Sequence, residues 1–248
     1  YRPGSPAPIV IMSLGLGLAM LMVVIVLSNN ISNQLNGQVQ KDAPDLVATD
    51  LFDDEVTDIE DFLKTTGNLV KYQHSPMIRA NVSKVNGVPS EEVRQRPDLQ
   101  GEAAYMIGPM EILMTWASDV PPNSTITSGQ WWPKDYSGPP LVSLRDKTAQ
   151  SLGLKVGDKL ELTLFGETIE VTIANLRDFQ FQNGLNFLVT ASPGAFDAFP
   201  TSNLATIKAS EGKEKDVERA LARKYPDITF LPVGELLSQA AGILTKLS

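Results

Sequence analysis

Few residues in this chain could carry catalysis. His74 is the lone histidine among 248 residues, and cysteine is absent. A multi-histidine metal site, a thiolate site and a Cys–His couple are therefore closed off. A Ser–His–Asp arrangement would have to use His74, yet no serine sits in a Gly-x-Ser-x-Gly elbow. Within Lys-Tyr-Gln-His-Ser-Pro at 71–76, His74 reads as a surface or strand-end residue. Asp53, Asp54, Glu55 and Asp58 gather four carboxylates, but the spacing and glycine of a calcium-binding EF-hand loop are missing. They read instead as a solvated acidic start to a helix, complementing its dipole. A phosphate-binding Gly-Lys-Ser/Thr loop is also missing, so the chain itself is not expected to hydrolyse nucleotide. The residues point to a non-enzyme with no cofactor, no metal site and no catalytic residue.

The densest unusual stretch is aromatic. Trp116, Trp131, Trp132 and Tyr136 are interleaved with Pro121, Pro122, Pro133, Pro139 and Pro140. Rigid aromatics beside prolines can form an apolar platform for a lipid-like ligand or a protein partner. Aromatics stacked on prolines can equally seal a small β-rich domain. Both readings stay open, and the four aromatics are the candidate contact residues.

The elements that would position them begin with an anchor. Residues 9–28 carry no charge and little more polar than Ser13 until Ser28. At 1.5 Å per residue the run would span roughly 28 Å, close to bilayer hydrocarbon thickness, which predicts a transmembrane helix. Gly15 and Gly17 suit close helix approach within a membrane. A cleavable signal peptide would show a shorter apolar core and a small-residue cleavage site. Arg2 in the short flank 1–8 hints at a cytoplasmic N-terminus. Ile31, Leu35 and Val39 continue a helical stripe through a stalk, 29–40.

Beyond it, 41–89 and 183–232 repeat one grammar. Residues 45–51 read as a strand, and Thr57-x-x-Glu60 as a capping box opening a helix with Ile59, Phe62 and Leu63 inward. Gly67 should cap that helix, 70–85 should form one or two strands, and Asn86-Gly87 should turn a hairpin. Late in the chain, 186–190 predicts a strand and Ser192-Pro193 a short helix start. Strand 203–208, helix 213–224 with Val217, Ala220, Leu221 and Lys224 on one face, and strand 228–231 follow. The expected fold class is α+β: an αβ domain of two strand–helix–strand units, interrupted by a β-rich subdomain at 90–182. Inside that insertion, a short helix capped at Gly153 and a Gly157-Asp158 turn lead into a hairpin around Phe165-Gly166-Glu167, the pattern of small β-barrels. Residues 233–248 predict an apolar-faced helix leading toward a further membrane span beyond the sequence in hand.

Charge narrows the partners. The net charge is −8, with one basic residue before position 41. An acidic body of this kind argues against nucleic acid and against an anionic membrane surface.

Several runs resemble a known family: Trp-Ala-Ser-Asp-Val-Pro at 116–121, Gly-Gln-Trp-Trp-Pro-Lys-Asp-Tyr-Ser-Gly-Pro-Pro-Leu-Val-Ser-Leu at 129–144, and Leu-Gly-Leu-Lys-Val-Gly-Asp at 152–158. To these add Ile-Ala-Asn-Leu-Arg at 173–177, Asn186-Phe187 and Ser-Pro-Gly at 192–194. They look like YbbP-type ABC-transporter permeases of the FtsX-like/MacB-type superfamily, and the opening 2–18 resembles the helix that begins the second repeat of such permeases. The likeness runs over essentially the whole chain, the Gly-x-Trp-Trp-Pro-x-Asp-Tyr run being the specific part. It implies an inner-membrane permease subunit, driven by a separate cytoplasmic ATPase, with residues from about 29 onward in the periplasm. It also implies an αβ porter-like part, a sabre-like β-rich insertion, stalk helices that transmit motion, and export or extraction of a hydrophobic, lipid-like substrate. The family supplies no catalytic residue. The alternative is a single-span, membrane-anchored periplasmic binding or adaptor module that uses no ATPase.

Overall fold

In the computed structural model, residues 43–179 and 185–234 are described. The expected flank, membrane helix and stalk (1–40) lie outside them, as does the closing helix beyond residue 234. Among the described residues no helix is long and apolar enough to cross a membrane. These residues form a mixed α+β structure of eleven strands in one connected sheet, with five helices.

The αβ part is built by two interleaved strand–helix–strand units. Strand β1 (Leu46–Leu51) leads through α1 (Asp53–Thr66) into β2 (Leu69–Val85). Late in the chain, β10 (Ser202–Ala209) leads through α5 (Glu214–Lys224) into β11 (Phe230–Pro232). Each crossover skips one strand, giving the order β11-β1-β10-β2 with every neighbouring pair antiparallel. This is the split βαβ arrangement. Alternation along β1 and β10 sends Leu46, Ala48, Ala205 and Ile207 to the helix side. They pack there with Val56, Ile59 and Leu63 of α1 and Val217 and Leu221 of α5.

Helix α1 starts earlier than Thr57-x-x-Glu60 suggests. Its N-cap is Phe52, whose backbone N–H donates to Glu55 Oε2 at 2.8 Å. Thr57 lies in the second turn, where its hydroxyl donates to Asp53 O at 3.5 Å. The acidic trio Asp53, Asp54 and Glu55 fills the first turn, where the dipole favours negative charge. Gly67 ends the helix in the left-handed region, as expected. Ser192-Pro193 starts no helix; that stretch is a series of turns. Ser192 Oγ instead accepts from the Leu141 N–H at 3.1 Å, so its oxygen fastens a strand rather than capping a helix.

Strand β2 is continuous and serves two structures. Its first half edges the αβ sheet beside β10. Its second half pairs with β4 (Ile112–Trp116) through 78–80 and with β7 (Lys159–Leu164) through 81–85. From β7 the pairing runs to β8 (Glu167–Phe179), β6 (Leu141–Arg145), β9 (Val189–Ala191), then back to β4. Six strands thereby close a small barrel. The remaining strands are β3 (Val88–Pro89), hairpinned to β2 at Asn86-Gly87, and β5 (Ser124–Gly129), laid along the end of β8. Short helices α2 (Ser90–Val93), α3 (Gly101–Met106) and α4 (Asp146–Leu152) complete this part. Gly153 caps α4, and Phe165 and Gly166, both at positive φ, turn the β7–β8 hairpin. The barrel draws β9 from the stretch 183–232, which the sequence pattern assigns to the αβ side; pairing partners rather than chain order decide the division.

The barrel interior is apolar: Ile78, Ala80, Met114, Val142, Leu144, Leu160, Leu162, Val171, Ile173, Leu176, Val189 and Ala191 are buried together. A separate small cluster, Met77, Phe187 and Leu204 with Val47, Leu113 and Leu185, fills the junction between barrel and αβ sheet.

Candidate functional site

That junction holds the structure's unusual chemistry. Val142 and Leu144 face the barrel interior, so Ser143 between them faces outward; by the same alternation Thr190 and Thr115 face outward from β9 and β4. Onto this outer wall β8 brings Arg177. A bulge, marked by the register shift where Val142 pairs Ile173 and Ser143 pairs Asn175, changes the phase of β8. Leu176 then joins the interior with Ile173, and Arg177 lands outside the barrel yet fully buried.

The Arg177 guanidinium is held by five oxygens. Nε donates to Ser143 Oγ at 3.1 Å, and Nη1 reaches Ser124 Oγ at 3.4 Å and Asn186 Oδ1 at 3.3 Å. Nη2 donates to Phe187 O at 2.5 Å and Thr190 Oγ1 at 2.7 Å. Phe179 lies beneath it, 4.4 Å from the guanidinium carbon to the ring centroid. Every one of these acceptors is uncharged, and among the described residues no carboxylate pairs with Arg177. Burial, reinforced by the neighbouring Arg145, pulls its pKa down to about 10, which leaves it charged at neutral pH. Arg145, by contrast, is ion-paired with Glu102, which also accepts from Thr148 Oγ1 at 3.0 Å.

Two cavities of about 440 Å³ each flank residues 185–187 at the junction. One is mainly apolar, walled by Tyr105, Leu113, Leu185, Phe187, Leu188 and Leu204, with Glu102 and Asn186 at its edge. The other is mixed and the more polar of the two, with Gln73, His74, Ser75, Thr115, Asn186 and Thr190 beside Trp116, Val120 and Pro121-Pro122. Both volumes fall in the range of small-molecule sites, roughly 300–1,000 Å³.

No family model and no curated protein matches the chain.

The aromatic candidates divide. Trp116 ends β4, lines the polar cavity and packs edge-on against Phe196, ring centroids 5.9 Å apart. Trp132 is 5% exposed, and its indole N–H donates to Ala117 O at 2.8 Å. Trp131 stacks on it at 4.1 Å and donates to Ser118 O at 2.9 Å. Tyr136 folds back on its own loop, donating to Pro139 O at 2.7 Å. Trp131 and Trp132 thus clamp the 130–140 loop onto the residues just after β4, Tyr136 braces that loop internally, and of the four only Trp116 reaches either cavity. His74 lies exposed in the middle of β2, paired with Ala205, and lines the polar cavity rather than marking a strand end. Asp53 accepts from Asn203 Nδ2 at 2.8 Å, while Asp58 is engaged by Lys224 and Tyr225. The four carboxylates therefore serve the helix and its neighbours. Among the described residues no group of His, Asp or Glu is arranged to hold a metal ion.

Arg177, Asn186 and Thr190 were the residues least visible as a site. Arg177 and Asn186 stand in the runs that carry the family resemblance, and the structure brings them together with Phe187.

Proposed function

We propose that this chain is the permease subunit of an ABC transporter, lodged in the bacterial inner membrane with its body in the periplasm. A separate cytoplasmic ATPase would move this body, through the stalk segments on either side, to export or extract a hydrophobic, lipid-like substrate. The observation that carries this reading is the interruption of one split βαβ unit, between β2 and β10, by a closed β-barrel. This supports a porter-like part with a β-rich, sabre-like insertion. The convergence of Arg177, Asn186 and Phe187, drawn from separate runs of the resemblance, adds support. So does an apolar cavity at the junction of the two parts. Bilayer, ATPase and substrate are the expected partners, and the acidic charge disfavours nucleic acid.

The test is isolation of the full chain from bacterial inner membranes in mild detergent, followed by subunit stoichiometry and ATP hydrolysis. The reading predicts a stoichiometric ATPase whose hydrolysis rate depends on this chain. Isolation with no ATPase would favour the single-span binding or adaptor module.

A further inference from the structure

We propose that the two junction cavities form one bipartite site for an anionic single-chain amphiphile, with its alkyl chain in the apolar cavity and its carboxylate or phosphate head in the polar one. The inference rests on, and deepens, the transport reading by naming a substrate class.

The charge arrangement carries it. A buried cation without an anion is costly unless its field is used, and here the field points at a cavity. Asn186 and Thr190 both line the polar cavity and both bond Arg177 directly, so the wall between cation and cavity is a single layer of side chains. Those bonds also set what the wall offers. Asn186 Oδ1 is occupied by Arg177 and by Ser124 Oγ at 3.0 Å, leaving Nδ2 as the group with spare capacity, its contact to Pro122 O being long at 3.4 Å. Thr190 Oγ1 accepts from Arg177, which frees its hydroxyl proton to donate. Gln73 and His74 add further polar groups to the lining. The cavity's own carboxylate, Asp119, is offset by Lys134 Nζ at 2.7 Å. A donor-lined wall backed by an unbalanced positive charge favours an anion.

The apolar half has complementary features. Its walls are leucines and aromatics, and its carboxylate, Glu102, is neutralised by Arg145. Leu185, Asn186 and Phe187 line both cavities, so a head held at Asn186 stands next to the leucine-lined space where a chain would be buried. Each methylene buried there is withdrawn from water and adds to affinity.

The experiment titrates the full chain, held in amphipol, with octyl phosphate, octanoate, octanol and inorganic phosphate below micellar concentrations. Calorimetry gives affinity, and the part of the tryptophan fluorescence change that Trp116→Phe removes reports on Trp116. At least one of octyl phosphate and octanoate should bind at least tenfold more tightly than octanol and than inorganic phosphate. Whichever head binds better identifies the anion. Asn186→Leu and Thr190→Val should each weaken the anionic amphiphile at least tenfold and leave octanol unchanged. Tyr105→Glu, at a half-exposed position where folding is undisturbed, should weaken it at least fivefold by placing charge at the apolar mouth. Equal affinity for octanol overturns the polar half, equal affinity for inorganic phosphate overturns the apolar half, and no binding by either anionic amphiphile overturns the whole. Binding without an ATPase partner would leave this site standing and sink the transporter reading; an ATPase partner without binding would do the reverse.

Discussion

The αβ part and the barrel bury polar groups in opposite ways. In the αβ part the core is wholly apolar, and polar contacts sit at its rim: Lys208 with Asp45, Lys224 and Tyr225 with Asp58, Asn203 with Asp53. The lysines and their carboxylate partners keep access to water, so losing one strands little; Asn203, 6% exposed, is the exception. The barrel has an apolar interior as well, but its outer wall at the junction buries Ser143, Asn175, Arg177 and Thr190. Losing a partner in such a wall is costly, because an unsatisfied buried group costs its full desolvation penalty, and Asn175 Oδ1 already has none among the described residues. The helix-packed half is thus tolerant at its rim ion pairs, and the barrel's junction wall is not.

Arg177→Ala should break that contrast most severely. It strands three buried acceptors, on Ser143, Phe187 and Thr190, and two partly buried ones, and should cost about 3–5 kcal/mol, measured by urea denaturation. Lys208→Ala at the αβ rim should cost about 1 kcal/mol. Equal losses would remove the distinction. Trp132→Ala should follow, at about 3–5 kcal/mol for a buried aromatic. Trp131→Ala should cost less than half of that, since its ring is only partly covered. The pair then separates the sealing role of the aromatic loop from any contact role, which would show as lost transport in a folded Trp131 variant.

Two glycines sharpen the comparison further. Gly129 and Gly153 both have positive φ, but only Gly129 abuts backbone, at the junction between β5 and β8. Gly153→Ala should cost about 1 kcal/mol for conformation alone. Gly129→Ala adds overpacking and should lower stability by about 1–3 kcal/mol more. The smallest effect is electrostatic. The hydrogen bond from Tyr225, with that from Lys224, holds the Asp58 carboxyl below the usual carboxylate range. The unfolded chain then binds more protons than the folded one as pH falls below about 4, so this contribution is complete above that pH and is lost on acidification through the lowered value. The thermal midpoint of the parent should fall more than that of Asp58→Asn between pH 5 and pH 2, by a small margin because the pair is exposed.

Local chemistry made much of the fold legible. Asn86-Gly87, Phe165-Gly166, Gly153 and Gly67 each specify a turn or cap through φ alone, and the structure has all four. Periodicity placed β1, β10, α5 and the β7–β8 hairpin. The misplaced start of α1 has a physical reason: the N-cap is Phe52, whose side chain has no oxygen to advertise a cap, and Glu55 supplies only the returning half of a capping box by accepting from the Phe52 N–H. Ser192 carries a capping residue's type but spends its oxygen on another strand. The site was harder to read because it depends on a bulge. Alternation carried through 171, 173, 175 and 177 would keep Arg177 on the interior face with Val171 and Ile173. One extra residue moves it to the outer wall, and strand pairing with β6 creates that shift. The signal that could have drawn attention to it was an arginine at the end of a β-branched strand, with Asn186 and Thr190 a short distance beyond.

The most direct test of the proposed transport function is ATP-dependent removal of a fluorescent anionic lipid probe from liposomes that contain this chain in its full-length form with its ATPase. The account predicts that ATP lowers the probe content of the bilayer, that a hydrolysis-deficient ATPase abolishes the loss, and that Asn186→Leu slows it at least fivefold. Probe loss unchanged by ATP, or unchanged when this chain is omitted, would contradict it.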